Sequence, residues 1–218
     1  IYQTQQKKFS DALASAKKVQ QLVPDSGKAE VLEGNIYLGQ KKFDLALATF
    51  KKSYQINANT EVMNLITNIL VAQSKHAEAT QFLEQQLNNP PENILVEHPD
   101  NTIVLNNLAW LYHLKNDPRA VELAAKAYQK APKSAAVADS YGVILVSQGS
   151  VPEGIKVLDK ARKLASNNYD IRYHLADAYA KNGQTQKAIS ILKAIVRSKK
   201  DFQEKKSASS LLKTLRNE

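Results

Sequence analysis

A period of 34 residues runs through this 218-residue chain and restricts it to one kind of architecture. Phe9 and Phe43, Ala12 and Ala46, Ala120 and Gly154, Gly149 and Gly183, and Gly154 and Ala188 each stand 34 positions apart. The stretches AEVLEGNIYLGQKKFDLALATF, LNNLAWLYHLKNDPRAVELAAKA, ADSYGVILVSQGSVPEGIKVLDKA and RYHLADAYAKNGQTQKAISILKAI are variants of one phrase. A unit of that length, apolar at helical spacing and broken once by a short turn, is a helical hairpin that must stack on copies of itself to bury its apolar face. The predicted class is all-α.

Each unit has a first helix with a small or medium residue at its eighth position and an aromatic or leucine three further on. A turn follows, then a second helix with a small residue near its start. These positions are Gly34, Tyr37, Ala46 and Phe50 in residues 27–59, and Ala109, Tyr112 and Ala120 in 101–134. In 135–168 they are Gly142, Leu145, Gly154 and Leu158, and in 169–201 Ala176, Tyr179, Ala188 and Leu192. Small residues there let two helix backbones approach. Pro24 and Pro132 stand where second helices are expected to end, because proline cannot continue a helix. The unit at 60–100 departs from the pattern: Thr67 and Ser74 replace the usual small residues, and NNPPENILVEHPDN lengthens the exit, so an insertion is expected near 88–98 with Ile94, Leu95 and Val96 tucked against the repeats. DFQEKKSASSLLKTLRNE reads as a capping helix over 202–218, with Phe202, Ala208, Leu211, Leu212 and Leu215 on one face. Residues 1–26 read as a partial repeat that enters halfway, which suggests a longer native N-terminus, whereas the true C-terminus is expected at the cap.

These features resemble the tetratricopeptide repeat (TPR) over nearly the whole chain, which implies a right-handed superhelical solenoid of helix-turn-helix hairpins, one array over 1–218. LNNLAWLYHLKNDPRAVELAAKAYQKAPKSAAVADSYGVILVSQG and DFQEKKSASSLLKTL further resemble the C-terminal part of the TPR-repeat lipoprotein of PEP-CTERM/exosortase exopolysaccharide systems. That resemblance implies a periplasmic or outer-membrane-associated protein, lipid-anchored upstream, acting as an assembly factor. The alternatives are a cytoplasmic peptide-binding adaptor, or the regulatory region of a larger enzyme such as a glycosyltransferase.

No chemistry-bearing motif competes with this reading. With no cysteine there is no disulfide or thiolate metal site, and His76, His98, His113 and His174 form none of the ligand spacings that hold zinc. No Gly-rich phosphate loop or nucleophile elbow occurs, and no apolar run is long enough to span a bilayer. No catalytic residue, cofactor or metal is therefore predicted. Formal charge is +9, arranged as basic, acidic and basic blocks: nine basic against five acidic residues in 1–59, one against six in 60–100, and twenty against ten in 101–218. The lysine pairs, Lys51–Lys52 among them, lack interleaved aromatics for base stacking, so they read as a solvated face, with no specific nucleic-acid partner and with Lys52→Ala nearly neutral for stability.

The TPR resemblance points instead to a concave groove lined by the second, fifth, ninth and twelfth positions of the first helices. It places Asn35, Asn64, Asn68, Asn106, Trp110, His113, Tyr173 and Asp177 there, with Asp139, Val143 and Val146 between. Asparagine amides both donate and accept, so they suit an extended peptide backbone, and Trp110 is either an anchor for a partner or a packing residue between hairpins. Val31 and Asn64 stand at fifth positions where chaperone-binding members carry cations, which argues against capture of a C-terminal carboxylate. Partner identity and oligomeric state are left open.

Overall fold

Five turns with one geometry organise the molecule. In each, a first helix stops at a residue with left-handed backbone: Lys41 (φ 58°), Ser74 (59°), Asn116 (54°), Gly149 (87°) and Gly183 (71°). One residue later a backbone N–H reaches back to a carbonyl five positions earlier: Lys42 to Tyr37 at 2.9 Å, Lys75 to Leu70 at 2.8 Å, Asp117 to Tyr112 at 2.9 Å, Ser150 to Leu145 at 2.9 Å and Gln184 to Tyr179 at 2.8 Å. This is the Schellman closure, which satisfies carbonyls that a helix end leaves orphaned. Left-handed backbone favours glycine, yet three of the five positions carry a side chain. Ser74→Gly should therefore raise stability by about 0.5–1 kcal/mol, relief of left-handed strain outweighing the extra chain entropy of glycine. Asn116→Gly should be near neutral, since asparagine tolerates that region; thermal melts of the two variants beside the parent check the difference.

The computed structural model describes residues 2–92, 94, 102–198 and 200–217, without the side chains of 2–8 and 217. Among the described residues there are twelve α-helices and no strand. They are α1 (Tyr2–Leu22), α2 (Lys28–Gly39), α3 (Phe43–Ile56), α4 (Thr60–Ala72), α5 (His76–Asn88), α6 (Thr102–Leu114), α7 (Arg119–Lys130), α8 (Ala135–Ser147), α9 (Val151–Leu164), α10 (Tyr169–Lys181), α11 (Thr185–Val196) and α12 (Lys205–Asn217). Side-chain caps open first helices: the Asn59 amide oxygen accepts from Val62 N–H at 2.9 Å, Ser134 Oγ from Val137 N–H at 3.4 Å, and the Asn168 amide oxygen from Asp170 and Ile171 N–H. Such a cap contributes about 1 kcal/mol.

Contacts divide the chain into a unit ending at Val104 and a second from Leu105 onward. In the first unit Phe50, Met63, Ile66, Leu70 and Leu83 are fully buried. A Cβ on Gly34 would lie 2.6 Å from the Phe50 ring, which is why no larger residue fits there. Ser53 Oγ donates to Gly27 carbonyl oxygen at 2.9 Å and ties α3 to the start of α2. The lysine face is not wholly solvated: Lys52 Nζ lies 3.1 Å from Oε1 of Glu30, a carboxylate only 3% exposed. Lys52→Ala would strand that buried charge, so the expected near-neutral effect is corrected to a loss of about 1–3 kcal/mol, below the cost of breaking a wholly buried pair because the lysine end is open to water. Denaturant unfolding of Lys52→Ala against the exposed control Lys51→Ala measures it.

In the second unit one cluster gathers Ala138, Leu145, Val157, Ala161 and Ile171, and another joins Ala176, Ala188, Leu192 and Ile195 to Ala208, Leu212 and Leu215 of α12. The predicted capping face is thus in place, with Leu211 partly buried against it and the Phe202 ring edge-on to Tyr169 at 5.6 Å. Glu204 N–H donates to Asp170 Oδ1 at 2.9 Å, fixing the cap's entry. Of the insertion expected near 88–98, residues 88–92 and 94 are described; in its apolar trio Ile94 is buried at 1% exposure, and Leu95 and Val96 lie outside the described residues.

Candidate functional site

The predicted groove residues divide between the two units. In the first, Asn35 on α2 and Asn68 on α4 are exposed at equivalent places on consecutive first helices, while Asn64 is half-buried and engaged with a neighbour. The second unit holds the other five, and here the structure brings more together.

Asn106, Trp110 and His113 recur at helical spacing and so share one face of α6. Trp110 is half-buried, its ring 5.2 Å from that of His113 and inclined by 53°. His113 Nδ1 lies 3.2 Å from Ser147 Oγ on α8, and that hydroxyl already donates to Ile144 carbonyl oxygen at 2.8 Å. The arrangement assigns the proton to His113 Nδ1, which donates to Oγ and leaves Nε2 as a free acceptor. Burial, with the Lys181 charge adding to it, lowers the His113 pKa, so the ring is neutral at pH 7. Asn106 Oδ1, two turns before His113, is shielded from solvent and has no hydrogen-bond partner. An unmet buried acceptor costs about 1–3 kcal/mol. This face of α6 therefore presents one open acceptor, His113 Nε2, beside an aromatic surface.

Tyr173 and Asp177 follow on α10. Burial, then Asp177 and Glu204, raise the Tyr173 pKa, so it remains a phenol, and Asp177 is held by Lys181 at 2.8 Å. Beside them lies a pairing that the sequence does not announce: His174 Nδ1 is 2.9 Å from each carboxylate oxygen of Asp139 on α8. Both residues are mostly buried, 20% and 17% exposed. The only hint in the sequence is that they stand 35 residues apart, close to one period. Burial acts to lower the His174 pKa, but the Asp139 hydrogen bond and charge, with Glu204 and Asp170, outweigh it and the net shift is upward. A histidine whose pKa rises on folding contributes stability in full below its unfolded value of about 6.5 and loses it as pH climbs through the folded value. The parent should accordingly be more stable relative to His174→Gln at about pH 6 than at about pH 8. Melting temperatures of both proteins across that range test this.

Among the described residues no three His, Asp or Glu side chains gather as a metal site, and no helix is long and apolar enough to cross a membrane.

Comparisons with known proteins bear on the fold. Tetratricopeptide-repeat family models match residues 31–60 and 145–212. Human tetratricopeptide repeat protein 21A is 26% identical over 171 residues, 78% of this chain, which spans only 13% of that protein's length. Among solved structures, a thermophilic TPR protein of Thermus thermophilus superposes with a TM-score of 0.67 at 16% identity, covering 85% of this chain and 98% of that one. The pilF protein of Pseudomonas aeruginosa gives 0.67 at 17% identity, covering 95% and 91%. At such identities the likeness concerns fold, and the fold is a solenoid of tetratricopeptide repeats.

Proposed function

We propose that this array of tetratricopeptide repeats is a non-catalytic scaffold that holds an extended segment of a protein partner along the first-helix face of its second unit. The observation that carries the reading is the α6 stripe: a half-buried Trp110 beside a neutral His113 with Nε2 open, on the same helix face as Asn106. A backbone N–H of a strand laid there would satisfy His113 Nε2, and Trp110 would cover apolar side chains. Asn35 and Asn68 offer the first unit a similar, more solvated stripe. Repeat modules of this kind work by binding proteins or peptides.

The setting we infer is a bacterial envelope or exopolysaccharide assembly, with the protein periplasmic or outer-membrane-associated and lipid-anchored upstream. Support comes from the LNNLAWLYHLKNDPRAVELAAKA and DFQEKKSASSLLKTL phrases and their resemblance to the exosortase-system lipoprotein. The test is affinity capture from separated envelope and cytosolic fractions of the native cell, with parent protein and a Trp110→Ala, Asn68→Ala double variant that keeps its helical circular dichroism. Envelope partners captured by the parent and lost by the variant are expected. Capture confined to cytosol overturns the setting; equal recovery by parent and variant overturns the binding face.

A further inference from the structure

A cleft in the second unit lies away from the α6 stripe, between the second helices α9 and α11 and floored by α10. It is an open cleft of about 420 Å³ lined by Asp159, Arg162, Arg172, Tyr179, Lys187 and Ser190, over Leu175, Ile191 and Ala194. That size is in the range of small-molecule sites. Its charge is unbalanced in a specific way. The only carboxylate, Asp159, is already saturated: one oxygen takes Arg162 Nε at 3.0 Å and a terminal guanidinium nitrogen at 2.8 Å, the other takes Lys163 Nζ at 2.8 Å. Lys163 and Arg162 hold its pKa below the ordinary carboxylate range against the opposing effect of burial, so it stays ionised and paired.

The other two cations have no such partner. Among the described residues no carboxylate reaches Arg172, whose guanidinium lies 5.5 Å above the Tyr169 ring, and Lys187 donates only to Gln184 Oε1 at 2.7 Å while passing 5.2 Å over Tyr179. Three cations, +3, against one carboxylate, −1, leave a formal +2 on the walls. Beneath them Leu175 is buried at 1% exposure, and Tyr179 and Ile191 are half-buried, giving the cleft an apolar, partly aromatic floor.

We propose that this cavity binds a phosphomonoester. A phosphate monoester carries about −1.5 to −2 near neutral pH, which matches the surplus, whereas a carboxylate or sulfonate would neutralise only half of it. The planar fork of Arg172 suits two phosphate oxygens at once, Lys187 supplies a point charge opposite, and Ser190 Oγ can donate to the third oxygen. The organic part of the ester rests on Tyr179, Leu175 and Ile191. The site is formed by different side chains from those of the proposed peptide stripe, so either can fail without the other. Soluble phosphomonoesters and the headgroup of phosphatidic acid share the chemistry.

The experiment titrates the full chain with phenyl phosphate by calorimetry at about pH 8 and low salt, where the ester is a dianion and screening is weak. Benzenesulfonate, with the same ring and one charge, is the control. Phenyl phosphate should saturate, benzenesulfonate should bind at least tenfold more weakly, and Arg172→Gln and Lys187→Gln should each weaken phenyl phosphate by about tenfold. Lys213→Gln, the same charge change on α12, should not. Both cavity variants should keep the parent's circular dichroism, and Arg172→Lys should recover part of the affinity. The source is read from sedimentation with phosphatidylcholine vesicles containing phosphatidic acid: retention abolished by Arg172→Gln assigns the site to lipid, and no retention alongside phenyl phosphate binding assigns it to soluble esters. The proposal is overturned if phenyl phosphate shows no saturation by about 10 mM, if benzenesulfonate binds equally, or if binding survives both substitutions.

Discussion

Gly154→Ala is expected to destabilise the second unit by about 3 kcal/mol or more, the largest effect of any single methyl group added to this protein. An added Cβ would sit 2.5 Å from Val146 Cγ2, 2.9 Å from Gly142 carbonyl oxygen and 3.1 Å from Val146 N. Two of those three atoms are backbone, so no rotamer change relieves the clash. Gly142→Ala should cost less, about 1–3 kcal/mol: its Cβ would meet the Leu158 side chain at 2.6 and 3.0 Å, while its nearest backbone neighbour, Gly154 carbonyl oxygen, lies farther off at 3.2 Å. Gly142→Leu should exceed both. Gly149 separates space from conformation: nothing lies within 4 Å of its Cβ position, but φ is +87°, so alanine there should cost only about 1–2 kcal/mol of backbone strain. Urea unfolding followed by circular dichroism should rank the losses as Gly142→Leu, then Gly154→Ala, then Gly142→Ala, then Gly149→Ala. Equal midpoints for Gly154→Ala and Gly149→Ala would show that close helix approach is not what these glycines secure.

The second large effect concerns recognition. Once a partner segment is in hand, Trp110→Ala should weaken its binding by about 2 kcal/mol or more, roughly thirtyfold, as truncation of a central aromatic anchor does. Trp110 is half-buried and leans on His113, so a thermal melt of the variant beside the parent separates lost binding from lost packing. Acid should mimic the substitution. His113 accepts through Nε2 only while neutral, and its pKa lies below the ordinary histidine value because of burial and Lys181. Binding should hold from neutral pH down to about 6.5 and fall as pH drops through the lowered value. His113→Gln, which keeps an acceptor without a titrating ring, should remove that dependence. An affinity that ignores both Trp110 and pH would move the binding surface elsewhere.

The hairpins were readable because a small residue at a crossing and a left-handed residue at a turn each leave a mark at one place per period. Gly34, Gly142, Gly154 and Ala188 announce helix approach by their size alone, and the α12 stripe of Ala208, Leu212 and Leu215 announces a cap by helical spacing. Lys41 and Ser74 announce nothing, because the Schellman geometry tolerates a side chain at modest cost and the sequence then carries no glycine to read. Polar pairings between elements were illegible for a different reason. Glu30 with Lys52 and Asp139 with His174 depend on which side chains face each other after packing, a lateral register that spacing alone does not supply. The cavity cations share this: Arg162, Arg172 and Lys187 come from three helices, and only folding shows that one is matched by a carboxylate and two are not.

The approach of Gly142 to Gly154 also bears on how fast the unit forms. The two residues are separated by a single tight turn, so closing that contact orders few residues and costs little chain entropy. Helix pairs this local are where a repeat array can nucleate, with neighbours then condensing onto the exposed flanks. If α8 and α9 are the nucleus, the penalty of Gly154→Ala enters the folding rate and leaves the unfolding rate nearly untouched, while a substitution in the α12 cap does the reverse. The glycine pair would then set the order of assembly as well as its stability, with the C-terminal cap acting as the latch that slows disassembly.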